Sequence, residues 1–155
     1  MTLALREVFP DIELTLKAKH GSSRGHPSVE LLLREEKAKI EDDPMEAFGG
    51  GPASIVGLIL RVVTICRQKN LARLIVLDEP VIQISQKYQK MAAKLFKRLC
   101  EPVDKGGLGF SMLVITHNPI FEKAAHKRYF AKKAEDGRTL TLEELEPFEE
   151  EEVLQ

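Results

Sequence analysis

Two short stretches place reactive residue types directly after apolar runs. In "LIVLDEP" (74–80) four apolar residues end in Asp78 and Glu79, and in "MLVITHN" (112–118) a second apolar run ends in Thr116, His117 and Asn118. If both runs are buried parallel strands, their carboxyl ends face one crevice, where open α/β sheets hold their ligands. Adjacent carboxylates there can divide the work of phosphoanhydride hydrolysis. Asp78 holds Mg²⁺ through its water shell, and Glu79 orients and deprotonates a water attacking a γ-phosphate. A general base so placed contributes roughly 10²- to 10⁴-fold in rate. A neutral imidazole at His117 can donate to that phosphate or help hold the water. The plainer alternatives are acids that cap a strand and a histidine with a structural role, but two such strand ends separated by one amphipathic helix form a narrower pattern than either alone.

A third stretch, "EAFGGGPAS" (46–54), sets Gly49, Gly50 and Gly51 against a long apolar segment with helical spacing. A helix N-terminus exposes unpaired N–H groups and a partial positive charge, and glycines remove the side chains that would keep a phosphate away. Pro52 suits the first turn, where its missing N–H costs nothing. The plain reading is a glycine-rich loop that opens a core helix.

The elements that must position these residues follow from periodicity. Residues 12–18 and 29–34 read as strands of an antiparallel pair joined by "KHGSSRGHPS", and "KIEDDPMEAF" (39–48) reads as a polar connection. From Ala53, the positions Ile55, Ile59, Val62, Val63 and Cys66 define one buried helix face. The runs ending at Asp78 and at Thr116 have the continuous apolar character of strands buried on both sides. Residues 86–100 form a helix with Met91, Ala92, Leu95, Phe96, Leu99 and Cys100 inward and Lys87, Lys90, Lys94, Lys97 and Arg98 outward. A short helix follows near 119–125. Strands at 127–133 and 138–144 then flank a turn with Asp136-Gly137 chemistry. The sum is a layered α/β arrangement of one domain.

At 155 residues the chain is long enough to bury a core. No apolar run reaches membrane-spanning length, and the N-terminus turns charged too early for a signal peptide, so a soluble, cytoplasmic protein with no membrane association is expected. Cys66 and Cys100 lie on apolar helix faces without metal-ligand spacing, which predicts buried reduced thiols. Seven of the 24 acidic residues fall in the last thirteen positions, leaving 23 basic against 17 acidic residues, a charge of +6, for residues 1–142. The division is a body at 1–142 and an acidic tail at 143–155, read as a solvated end. The lysine stripe on the helix at 86–98 is a candidate surface for nucleic-acid phosphates, with a solvated outer face as the plainer account.

Together these motifs resemble the ABC-type ATPases. "LIVLDEP" is similar to the Walker B strand with its catalytic glutamate, "VITHN" to the switch-histidine strand, and "FGGGPAS" to the signature motif before its helix. Their order and spacing over roughly residues 46–130 resemble the carboxy-terminal lobe of the SMC, RecF and SbcC branch of bacterial and phage DNA-repair ATPases, a P-loop NTPase fold in which a small antiparallel sheet precedes the signature. The resemblance implies that Gly49, Gly50, Gly51 and Ser54 contact ATP held by an opposing subunit, that Asp78 serves the metal, and that Glu79 and His117 serve hydrolysis. Cofactors would be ATP and Mg²⁺.

The chain departs from that pattern in three places. Gly49 stands where the signature has a serine, Pro52 where it has glutamine or glutamate, and Ser85 where the loop after the strand usually carries aspartate. No GxxxxGK[ST] phosphate loop occurs anywhere in the sequence. In the family that element lies in an amino-terminal lobe, joined in the longer members through a coiled coil. The resemblance therefore implies a Walker A-bearing lobe or coiled-coil ATPase chain as partner, a homo- or heterodimer, and DNA or a nuclease subunit as further partners. The alternative is a non-hydrolysing ABC-like binding module that regulates a partner protein.

Overall fold

The computed structural model describes residues 2–134 and 138–146. It opens with a helix absent from the sequence reading, α1 (Thr2–Val8), which buries Ala4, Leu5 and Val8 against the later helix α4. Two turns are too short to display a helical period.

Strands β1 (Leu14–Ser23) and β2 (His26–Glu35) pair antiparallel from Leu14↔Glu35 to Ser23↔His26. Arg24 and Gly25 close them with φ of 50° and 78°, the doubly left-handed two-residue turn that matches strand twist. "KHGSSRGHPS" is thus the distal half of one long hairpin, not a loop between short strands. The base of the hairpin enters the core through Leu14 and Leu33. The 39–48 segment is also more than a polar connection. It forms β3 (Ile40–Asp42), paired with β2, and α2 (Pro44–Phe48), whose N-terminus Asp43 caps by accepting from the amides of Met45 and Glu46.

Helix α3 (Gly50–Arg67) buries Ile55, Val56, Leu58, Ile59 and Val62. Its buried stripe is rotated from the expected one, since Val63 and Cys66 are exposed. Cys100 is half-buried, and burial pushes its thiol pKa up. Both thiols are free, but only one is even partly sheltered. With 18 residues and a mean hydropathy of 1.4, α3 is by length and composition alone apolar enough to cross a membrane, contrary to the expectation that no run reaches that length. Here its apolar stripe is packed into the core.

Strands β4 (Leu74–Asp78) and β5 (Ser111–Ile115) lie parallel, with Leu74 opposite Ser111 and Asp78 opposite Ile115. They are not buried on both sides. Ile75 and Leu77 point into the core and Met112 and Val114 pack against it, whereas Leu74, Val76, Leu113 and Ile115 are each more than half exposed. Between the strands run α4 (Gln86–Cys100), with Ala92, Ala93, Leu95, Phe96 and Leu99 buried, and a 3-10 turn at Val103–Lys105. Helix α5 (Pro119–Ala124) then sets Phe121 edge-on to Phe96 at 5.0 Å.

Strands β6 (Arg128–Lys133) and β7 (Leu140–Leu145) form a closing antiparallel hairpin, exposed along almost its whole length. Glu143 and Glu144 belong to β7, so the boundary between body and tail drawn at 143 falls inside a strand. The expected Asp136-Gly137 turn and the tail from 147 onward lie outside the described residues.

Candidate functional site

The parallel pairing of β4 with β5 brings the two reactive stretches side by side. Just past the end of β4, the Glu79 amide donates to the Ile115 carbonyl at 2.9 Å, continuing the ladder by one residue. Glu79 itself sits at φ 42°, a left-handed conformation that costs a non-glycine residue about 1–3 kcal/mol. That turn swings its carboxylate across to the neighbouring strand end. Glu79 Oε2 accepts from the Thr116 hydroxyl at 3.0 Å, and Oε1 accepts from the His117 backbone N–H at 3.0 Å. Each carboxylate oxygen has two lone-pair sites, so one on each remains available.

The clamp is itself anchored. Thr116 Oγ1 also accepts from the Asn118 amide, and the Asn118 side chain caps α5 through the Ile120 N–H while donating to Gln89 Oε1 at 2.9 Å. Gln89 in turn donates to the Ile84 carbonyl. The strand-end carboxylate is thereby tied through Thr116 and Asn118 to α4. Sequence reasoning noticed the Thr-His-Asn run but missed Gln89, whose spacing on α4 gives no sign that it faces inward.

Asp78 is exposed and has no hydrogen-bonding or ionic partner among the described residues, which leaves a hard oxygen ligand free at the strand end. That suits Mg²⁺, which takes one or two protein carboxylates and completes its shell with water and phosphate. No group of three or more His, Cys, Asp or Glu able to hold a metal on protein ligands alone occurs among the described residues. His117 is exposed, and it is its backbone rather than its imidazole that engages Glu79.

The glycine run opens α3 as the sequence suggests. Gly49 ends α2 and precedes α3 at φ 74°, ψ −174°, a region essentially restricted to glycine. Gly51 is buried, and a Cβ on Gly50 would lie only 2.1 Å from Gln83 Oε1, so the loop after β4 presses on the helix mouth. Ser54 gives its hydroxyl proton to the Gly50 carbonyl at 2.7 Å, with Gln83 Oε1 3.4 Å away. Its hydroxyl is thus committed to its own helix. Asp78, Glu79, Ser54 and Gln83, with Arg61 and Val76, line one open cleft of about 590 Å³, while Gly49–Gly51 and His117 lie outside that lining. Gln83 is the second residue sequence reasoning missed.

The lysine stripe on α4 is partly neutralised. Lys87 pairs with Asp11 at 2.5 Å and Arg98 with Glu7 at 2.6 Å. The Lys87 ammonium and the Tyr88 hydroxyl, both donating to Asp11, hold its carboxyl below the usual range.

With this geometry in place, comparison with solved structures identifies the fold. The chain matches SMC ATPase heads, a P-loop fold of the ABC type, over 94% of its length in each of three cases. One is a structure from work on ATP-driven dimerization and DNA-stimulated activation of SMC ATPases, with TM-score 0.65, 16% identity and 80% of that chain covered. The second is the SMC head domain from Thermotoga maritima, with TM-score 0.59 and 16% identity. The third is the Smc head domain with coiled coil and joint derived from Pyrococcus yayanosii, with TM-score 0.66 and 19% identity. The chain spans 45% and 26% of the latter two. No family model and no curated protein matches the sequence. The particular part of the fold present here is that consistent with the carboxy-terminal lobe of the head.

Proposed function

We propose that this chain is the carboxy-terminal half of an SMC/RecF/SbcC-like ABC ATPase, hydrolysing Mg-ATP only when a Walker A-bearing lobe completes the site and two heads dimerise. The observation that carries this reading is the parallel β4–β5 pair, which ends in Asp78 and Glu79 and leaves an apolar face bare. Parallel sheets are ordinarily covered on both faces, so a missing layer is implied where the phosphate loop is also missing. Glu79 is the general base, held toward the attacking water by Thr116 and the His117 amide. Asp78 holds the metal, and His117 reaches the γ-phosphate with its free imidazole. When bound, Mg²⁺ neutralises charge on the β- and γ-phosphate oxygens. The mouth of α3 at Gly49–Gly51 offers backbone N–H groups to ATP of the opposing head, as in the ATP-driven dimerization described for the first of the similar structures. The setting we infer is cytoplasmic DNA repair or recombination in a bacterium or phage, with DNA or a nuclease subunit as further partners.

A second reading is favoured by one contact. Gln83 lies against Gly50, and Ser54 has given its proton away, so the chain closes its own signature mouth. This is what a non-hydrolysing binding module that regulates a partner would show. Reconstitution separates the two. The chain is purified with a Walker A-bearing partner recovered from its native cell, and ATP turnover is measured for Glu79 and Glu79→Gln. Turnover that Glu79→Gln abolishes without loss of the complex supports the ATPase; a stable complex that never turns over ATP supports the module.

A further inference from the structure

Resting on the DNA partner proposed above but not on ATP turnover, we infer that the distal β1–β2 hairpin is a finger that binds the phosphate backbone of duplex nucleic acid. Residues 18–27 are all exposed, and the ribbon beyond Lys19↔Glu30 stands clear of the core for four register pairs, about 14 Å at the rise of an antiparallel strand. A two-stranded ribbon that buries nothing adds little to stability, so its length calls for another purpose.

The finger's composition points to a polyanion. Past the Lys19–Glu30 ion pair at 3.6 Å, residues 20–29 contain no acid. They present hydroxyls at Ser22, Ser23 and Ser28, imidazoles at His20 and His26, and one guanidinium at Arg24, which makes no ion pair among the described residues. By contrast, Lys87 and Arg98 on α4 are already paired, which weakens that helix as the candidate nucleic-acid surface and agrees with the plainer account of its lysines as a solvated face.

Arg24 supplies the decisive detail. It occupies the first centre of a two-residue turn at φ 50°, where asparagine or glycine is the favoured residue and arginine is strained. It makes no hydrogen bond or ion pair among the described residues that would offset the strain, and guanidinium is the side chain suited to bidentate phosphate contact. The small side chains beside it keep the ribbon narrow, and the B-form major groove, about 12 Å wide, admits a two-stranded ribbon. The tip carries no aromatic residue, which argues against a membrane surface.

The turn also provides a clean test, because Arg24→Asn creates the preferred Asn-Gly turn while removing the charge. The full chain is titrated against a 30-bp duplex of arbitrary sequence by fluorescence anisotropy at 50–200 mM salt, without nucleotide. We expect Arg24→Asn to flatten the slope of log K against log salt by about one, so that the wild-type advantage shrinks about threefold across that range, and Arg24→Lys to keep the slope. An unchanged slope in Arg24→Asn overturns the proposal, as does an equal loss in Arg24→Lys, which would trace the effect to turn shape. A slope that responds to Lys94→Ala instead, absence of duplex binding, or equal binding to phosphatidylserine vesicles overturns it too. None of these outcomes depends on ATP turnover.

Discussion

The two faces of the β4–β5 pair have nearly the same composition and opposite fates. Ile75 and Leu77 are each 5% exposed, with Met112 and Val114 packed beside them, whereas Leu74, Val76, Leu113 and Ile115 are 54–57% exposed. One face is already buried by this chain's helices. The other has the aliphatic character of a buried surface but lies open among the described residues, and it is on this face that the proposed completing lobe would sit. The reactive residues divide along the same line. Glu79 is tied into the folded chain by Thr116 and His117, while Asp78 and the His117 imidazole remain uncommitted.

The sharpest way to break the comparison is to truncate one residue on each face. Leu77→Ala should destabilise the isolated chain by about 2–5 kcal/mol, the cost of a buried cavity, whereas Val76→Ala should stay within about 0.5 kcal/mol. Urea denaturation measures both, and equal losses would mean that the open face is covered in solution. Gly49→Ala tests whether the helix mouth belongs to the self-sufficient side. Its backbone region excludes other residues, so a loss of about 1–3 kcal/mol is expected by the same measurement, and an unchanged midpoint would refute the conformation described.

His117→Ala lies on the uncommitted side. It should leave stability within about 0.5 kcal/mol, since only the backbone of His117 bonds to Glu79, while slowing turnover of the completed enzyme. Comparable thermal destabilisation would instead make the imidazole structural. The smallest effect concerns pH at the α1–α4 junction. Asp11 titrates below its ordinary 3.8, chiefly because Lys87 donates to it. Its contribution is therefore complete above that pH and fades as pH falls through the lowered value. Asp11→Asn should narrow the stability difference between pH 5 and pH 3, and an unaltered acid limb would show the pair to be idle.

Much of this division was legible in the sequence, and its failures share a cause. The helices at 86–100 and 119–124, the two parallel strands and the terminal hairpin emerge from local periodicity. Burial on both sides of β4 and β5, expected from their continuous apolar composition, fails on one face, because composition records the apolar character of a strand and not which of its faces is covered. Helix α1, strand β3 and helix α2 are too short for a period to register. The long hairpin was hidden because its distal half has turn-like composition and gains its pairing from strand register rather than side-chain packing. The contact of Glu79 with Thr116-His117 could be anticipated because acids and hydroxyls after apolar runs are conspicuous. Gln83 and Gln89 could not, since a glutamine on a loop or a helix looks the same whether it faces solvent or a glycine.

The central claim is that this lobe holds the catalytic base for a site it cannot complete alone. The most direct measurement is the rate of Mg-ATP hydrolysis by the chain alone, by its purified complex with a Walker A-bearing partner, and by the same complex carrying Glu79→Gln. The account predicts no turnover by the chain alone, turnover by the complex, and a loss of roughly 10²-fold or more with Glu79→Gln. Equal turnover with and without the Glu79 carboxylate would contradict it.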